Sequence, residues 1–186
     1  MTRMLIGLFT VFCVVRSALS QPAEVIIIRH AEKPPEGNEL TLQGRERAAA
    51  LVPYFRETAE LLEFNAPVAI YVPLPKNENS SIRSAQTVAP LAIALHLTLN
   101  STFHKDQVSE MAKEILNNER YDGKMVLICW DHKTIPPIAK AFGVEDAPDK
   151  WPGDSFDRDW IIRFHAGAKP VFRDLPQRLM FGDSAK

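Results

Sequence analysis

Two histidines and two arginines carry the strongest chemical signal in this 186-residue chain. Arg29-His30 closes the apolar run Val25-Ile26-Ile27-Ile28, and His132 follows a second one, Val126-Leu127-Ile128-Cys129-Trp130-Asp131. Arg83 lies between them, within Ser81-Ile82-Arg83-Ser84-Ala85-Gln86-Thr87. A phosphomonoester carries close to two negative charges and is bound best by planar guanidinium forks. Arg29 and Arg83 suit that task. A neutral imidazole can attack phosphorus, giving a phosphohistidine that water then hydrolyses. A second imidazole can donate to the transferring oxygens, provided it is fixed before the reaction. The set implies a phosphate pocket with a nucleophile, and its chemistry calls for no metal and no cofactor.

The elements that must position these groups follow from periodicity. Glu24 to Ile28 reads as a buried strand, and a strand end is where open α/β sheets bind ligands. A Pro- and Gly-containing loop, Ala31 to Glu39, precedes a helix with Ala48, Leu51, Val52, Phe55 and Leu62 near helical spacing. Thr41 or Gln43 stands near its cap, and Pro53 is expected to kink or divide it. Val68 to Val72 reads as a second strand. Ser81 to Leu95 is helical in pattern despite Pro90, and Leu97 to Leu99 reads as a short strand. Asp106 is expected to cap a helix through Asn117. Met125 to Trp130 is a third long strand, followed by a short helix, Thr134 to Phe142, that ends at Gly143. Trp160 to Phe164 and Pro170 to Phe172 form a closing pair. Strands alternating with helices predict one α/β domain, a three-layer α/β/α sandwich around a mostly parallel sheet.

Residues 1–20 read differently. A basic start with Arg3, an apolar stretch from Met4 to Val15, and Ala18-Leu19-Ser20 before Gln21 match a cleaved export signal. That leaves residues 21–186 as a single domain and implies a periplasmic or secreted address, with no stable membrane insertion after cleavage. Cleavage removes Cys13, so Cys129 has no internal partner and reads as a small buried hydrophobe. The net charge of −1 gives no electrostatic case for nucleic acid.

The ordered motifs resemble those of the histidine phosphatase superfamily, which includes the phosphoglycerate mutases. Arg29-His30-Ala31-Glu32 is similar to its Arg-His-Gly signature, and Leu40-Thr41-Leu42-Gln43-Gly44-Arg45-Glu46-Arg47-Ala48 to its Leu-Thr-x-x-Gly-x-x-x-Ala stretch. Ser81 to Thr87 resembles its Ser-x-x-Arg-Ala-x-x-Thr segment, and the strand ending at His132 its second-histidine strand. Together they span roughly Glu24 to Gly143. The resemblance implies His30 as nucleophile, His132 as phosphoryl-oxygen donor, and Arg29, Arg83 and His132 as the phosphate-binding set. It also implies a histidine acid phosphatase-type phosphomonoesterase acting on a phosphorylated small molecule or macromolecule.

An ester's leaving oxygen needs a proton, and the acid that supplies it stays open between Glu110, Asp106, Asp131 and Glu32. Ala31, and Trp130-Asp131 before the second histidine, replace usual glycines, and are expected to narrow the pocket or change its polarity. Little room remains for a substrate-sorting cap, which implies an open site. The alternatives are removal of phosphate from protein phosphohistidine, a binding module of the same fold with little turnover, and a mutase. His96, His104 and His165 read as structural or surface residues, and Trp151, Phe156 and Trp160 as core or loop anchors. Asn79-Ser80-Ser81 and Asn100-Ser101-Thr102 match the glycosylation sequon.

Overall fold

The computed structural model describes residues 21–184. The export signal expected over residues 1–20 lies outside the described residues. Among those described, no helix is long and apolar enough to cross a membrane.

Strand β1, Glu24–Arg29, is the centre of a five-stranded sheet ordered β2-β3-β1-β4-β5. On one side β3, Met125–Trp130, pairs with it in parallel, placing Arg29 opposite Trp130, and β2, Ala69–Tyr71, continues that half in parallel. On the other side β4, Arg158–Arg163, runs antiparallel to β1, and β5, Val171–Pro176, antiparallel to β4. The sheet is therefore mixed, where a mostly parallel one was expected. The reason lies in the connection between β4 and β5. A turn around Gly167, whose φ is +74°, is too short for the crossover that a parallel neighbour requires.

Alternation along the strands splits the core in two. Val25, Ile27, Val126, Ile128 and Trp130 face one side, where they pack with Met111, Ile115 and Ile138. These come from helices α3, Val108–Asn117, and α4, Ile135–Ala141. Ile26, Ile28, Leu127 and Cys129 face the other side, against Leu51, Phe55, Val88 and Leu91. Those belong to α1, Leu42–Glu57, and α2, Arg83–Ala94. Ile26, Ile27 and Ile28 are fully buried, and each such side chain contributes about 1.5–3 kcal/mol of burial. Cys129 is a free, fully buried thiol.

Several local expectations change. Helix α1 is continuous through Pro53, which is exposed next to exposed Ala49, so the carbonyl that proline leaves unbonded faces water. Leu62 falls in a separate 3₁₀ turn, Leu62–Phe64. Residues 97–99 form no strand; one bridge, Tyr71 to Asn100, replaces it. Asp106 does not cap α3, whose N-cap is Gln107, with no side-chain bond to the helix N–H groups.

The start of α1 explains why Gly44 follows Thr41 at that distance. The Thr41 hydroxyl caps the helix by accepting from the Gly44 N–H at 3.1 Å, and the Thr41 N–H donates to the Glu32 carbonyl at 3.0 Å. This draws the helix onto the loop after β1. A Cβ at Gly44 would lie 2.4 Å from the Glu32 carbonyl oxygen, so only glycine permits the approach. Gly44→Ala is expected to destabilise the fold by about 1–3 kcal/mol. Urea denaturation tests this, and a change under about 0.5 kcal/mol would show that the loop yields freely.

Candidate active site

The same alternation governs the strand ends. His30 follows the face of Ile26 and Ile28, and Asp131 the face of Leu127 and Cys129, toward α1 and α2. Arg29 and His132 continue the opposite face, that of Ile27 and Trp130. A cleft of about 610 Å³ accordingly holds His30, Arg83, Asp106 and Asp131. Arg29 and His132 do not line it. His132 opens instead on a smaller hollow of about 330 Å³ beside Trp151 and Gly153. Of the four residues expected to share one pocket, His30 and Arg83 line this cleft, and Arg29 and His132 are not among its lining residues.

His30 is 4% exposed, and its Nδ1–H donates to the Ala31 carbonyl at 2.7 Å. A carbonyl only accepts, so Nδ1 carries the proton and Nε2 keeps its lone pair. Burial, with the charges of Arg29 and Arg83 adding to it, brings the imidazole down to about 4. The ring is neutral at ordinary pH. The Ala31 N–H donates to the Thr87 hydroxyl at 2.9 Å, and that hydroxyl donates to the Arg83 carbonyl at 2.8 Å. The loop after β1 is thereby tied to the first turns of α2. Arg83 donates from Nε to the Glu39 carbonyl at 3.2 Å and from Nη2 to that of Gly37.

Arg29 is 1% exposed. Its Nη1 donates to the carbonyls of Gly153 at 2.8 Å and Ser155 at 2.9 Å, with Pro152 at 3.5 Å. Nε and Nη2 are buried and have no partner among the described residues. That pair of nitrogens is one edge of the planar fork, the arrangement that binds an oxyanion bidentately. Uncompensated burial lowers the guanidinium to about 10, still charged at neutral pH. Phe156 lies over it at 3.9 Å and beside the His30 ring at 6.0 Å. Sequence reasoning read Phe156 as an anchor only, and no spacing signal ties it to Arg29. Burial and the Arg29 charge also hold His132 below the ordinary histidine value, and its buried Nδ1 has no hydrogen-bond partner. Asp131 Oδ2 stands 3.8 Å from it.

No family model matches the sequence, and no curated protein does. Solved structures do. The protein histidine phosphatase SixA complexed with tungstate is 12% identical, with 83% of this chain and 97% of that one covered and a TM-score of 0.50. Phosphoglycerate mutase from Plasmodium falciparum is 11% identical over 84% and 92%, with a TM-score of 0.52. The alpha-ribazole phosphatase from Shigella flexneri is 14% identical over 84% and 98%, with a TM-score of 0.50. The fold is similar to that of these solved phosphatases and mutase. At these identities the likeness concerns the backbone, and the side chains must speak for themselves.

Within this fold the four candidate acids separate. Glu110 is exposed on the first turn of α3 and lines no part of the cleft. Asp106 does line it, but its own backbone amide and Lys76 hold the carboxyl below its usual value. Asp131 also lines it. Burial pushes that carboxyl up, yet the Lys133 amide and the Lys105 ammonium prevail and keep it low. Glu32 turns away from the cleft to the buried Arg47, whose Nε and Nη2 donate to it at 2.7–3.1 Å. Of the residues that replace the usual glycines, Asp131 lines the cleft and adds a carboxylate to it, while Ala31 and Trp130 do not line it. Ala31 packs with Leu40 and Ala48, and Trp130 lies in the core with its indole N–H donating to the Lys105 carbonyl at 3.1 Å.

The C-terminal segment belongs to this region, which sequence reasoning did not foresee. Arg47 also donates to Asp183 at 2.6 and 2.9 Å. The Ser184 N–H donates to Asp157, which accepts from the Ser155 hydroxyl at 3.1 Å. Two adjacent terminal residues thus fasten the Glu32 loop and the loop that holds Arg29.

The His30 ring gives a pH test. An unfolded histidine titrates near 6.5 and this one at about 4, so the folded chain binds fewer protons in between. Stability is therefore complete above pH 6.5 and falls by up to about 3 kcal/mol as pH drops through 4. NMR of the His30 ring is expected to show the Nδ1–H tautomer with a midpoint near 4. A midpoint near 6.5 would overturn the buried neutral imidazole.

Proposed function

We propose that this chain is a phosphatase that forms a phosphohistidine on His30 and hydrolyses it with water. One observation carries the reading. A buried neutral imidazole with Nε2 free stands beside a buried arginine whose fork edge has no partner. Nε2 attacks phosphorus, the leaving group departs with the bonding electron pair, and water then breaks the P–N bond to release phosphate. Arg29 and Arg83 hold the phosphoryl oxygens, and His132 donates to them once they lie near both strand ends. These guanidinium groups supply the positive charge that a metal supplies elsewhere. The neighbours named for phosphatase activity support the reading at the level of the fold.

For the leaving group a second reading has its own support. The carboxyls that line the cleft, Asp106 and Asp131, are both held below their ordinary values, and Glu110 lies outside it. A weak supply of protons disfavours alkyl esters and suits aryl phosphates or phosphohistidine, whose leaving groups depend less on a strong acid. SixA, one of the structural neighbours, is named a protein histidine phosphatase.

Phosphate release from an aryl phosphate, with EDTA present, tests the proposal. His30→Ala is expected to lower turnover by about 10³-fold or more, and persistence of turnover in that variant would sink it. Tight vanadate binding by a parent that releases no phosphate would make the chain a binding module. If Asp106→Asn, Asp131→Asn and Glu110→Gln each keep turnover of an alkyl phosphate within about threefold, general-acid ester chemistry, worth about 10²–10⁴-fold, is absent. Phosphohistidine substrates then take its place.

We also propose export, on the pattern of residues 1–20. Terminal sequencing of protein recovered outside the cytoplasm is expected to begin at Gln21, and recovery only of chains starting at Met1 would overturn it.

A further inference from the structure

With Arg29 at the strand end beside it, the cleft around His30 carries more positive charge than one phosphoryl group requires. Lys76, Lys105, Lys133 and Arg83 line it, against two carboxylates, Asp106 and Asp131. The whole chain carries a net charge of −1, so the excess is local. Lys105 is engaged by Asp131 at 3.1 Å. Lys76 meets Asp106 at 3.5 Å with both side chains more than half exposed. A pair of that kind is worth little in water and yields readily to a ligand anion. Lys133 is exposed, and its ammonium has no carboxylate within 4 Å among the described residues. The rest of the wall sets Leu74, Pro75 and Pro137 among serine hydroxyls and Thr134. Its volume, about 610 Å³, is that of a small-molecule site.

We infer that the cleft takes a small phosphorylated molecule bearing a second anionic group, a carboxylate or a further phosphate. Lys76 and Lys133 hold that second group, and an apolar body lies against Leu74 and Pro137. The inference rests on the phosphatase reading for the fate of the first phosphoryl group, not for the binding of the second anion.

Two uncleavable probes, benzylphosphonate and 4-carboxybenzylphosphonate, separate the two ideas, because a P–C bond survives whatever His30 does. Calorimetry on the intact protein is expected to show the carboxylated probe binding about five- to tenfold more tightly. In the double variant Lys76→Gln, Lys133→Gln this advantage falls below about twofold, while benzylphosphonate binds as before. Equal affinities in the parent, or an advantage that survives in the double variant, would overturn the inference. So would failure of both probes to bind. Should the parent release no phosphate from any ester yet keep the affinity gap, the phosphatase reading falls and the second-anion site stands.

Discussion

A cation buried at the end of the central strand is the constraint to which much of the molecule answers. Arg29 is solvated on one edge by protein alone, through the carbonyls of residues 152–155. Those carbonyls converge only because the loop carrying them is itself held. The Trp151 indole N–H donates to the Ser155 carbonyl at 2.9 Å, and Trp151 packs on Trp160 of β4 at 5.1 Å. The Asp157 carboxylate holds the Ser155 hydroxyl and accepts from Ser184. Charge burial without such partners costs several kcal/mol, so the loop, its tryptophans and the chain end form one cooperative unit with β1.

The two histidines stand at the ends of neighbouring parallel strands but on opposite faces of the sheet. A phosphoryl group that touches both must sit over the edge where β1 and β3 end, with Arg29 between. The Arg29 charge reaches both rings and works against protonation of each. Phe156 covers the guanidinium and also lines the hollow that holds Glu32 and Arg47. Neutral imidazoles, a desolvated fork and an aromatic cover are mutually consistent. Each is favoured by the exclusion of water that the others produce.

How much of this was legible in the sequence depends on the range of the interactions. β1, β3 and the helices around Leu51 and Val88 were readable because their apolar spacing is local. So was a cap near Thr41 or Gln43, of which the structure uses Thr41. The direction of β4 and β5 was not, because apolar alternation says nothing about which way a strand runs. The separation of His30 from His132 could have been found by counting parity from the strand ends, since Arg29 and His132 share the phase of Trp130. Arg47 could not be read as a hub. Its partners are Glu32, Asp183 and Gln177, and nothing in the sequence around any of them announces a contact over such a distance. Glu110 attracted attention by spacing alone, and helix α3 turns it to solvent.

The terminal fastening has a consequence for the order in which competence arises. Everything that binds the inner edge of Arg29, and half of what binds Arg47, lies between residues 152 and 184. A chain synthesised from its N-terminus has both histidines, both arginines and the parallel half of the sheet before any of those groups exists. Until then Arg29 must stay hydrated, β1 lacks its β4 neighbour, and the ring of His30 lacks the dry surroundings that keep it neutral. The dry setting of the His30 imidazole is thus completed only after these later residues, although His30 itself is made well before them.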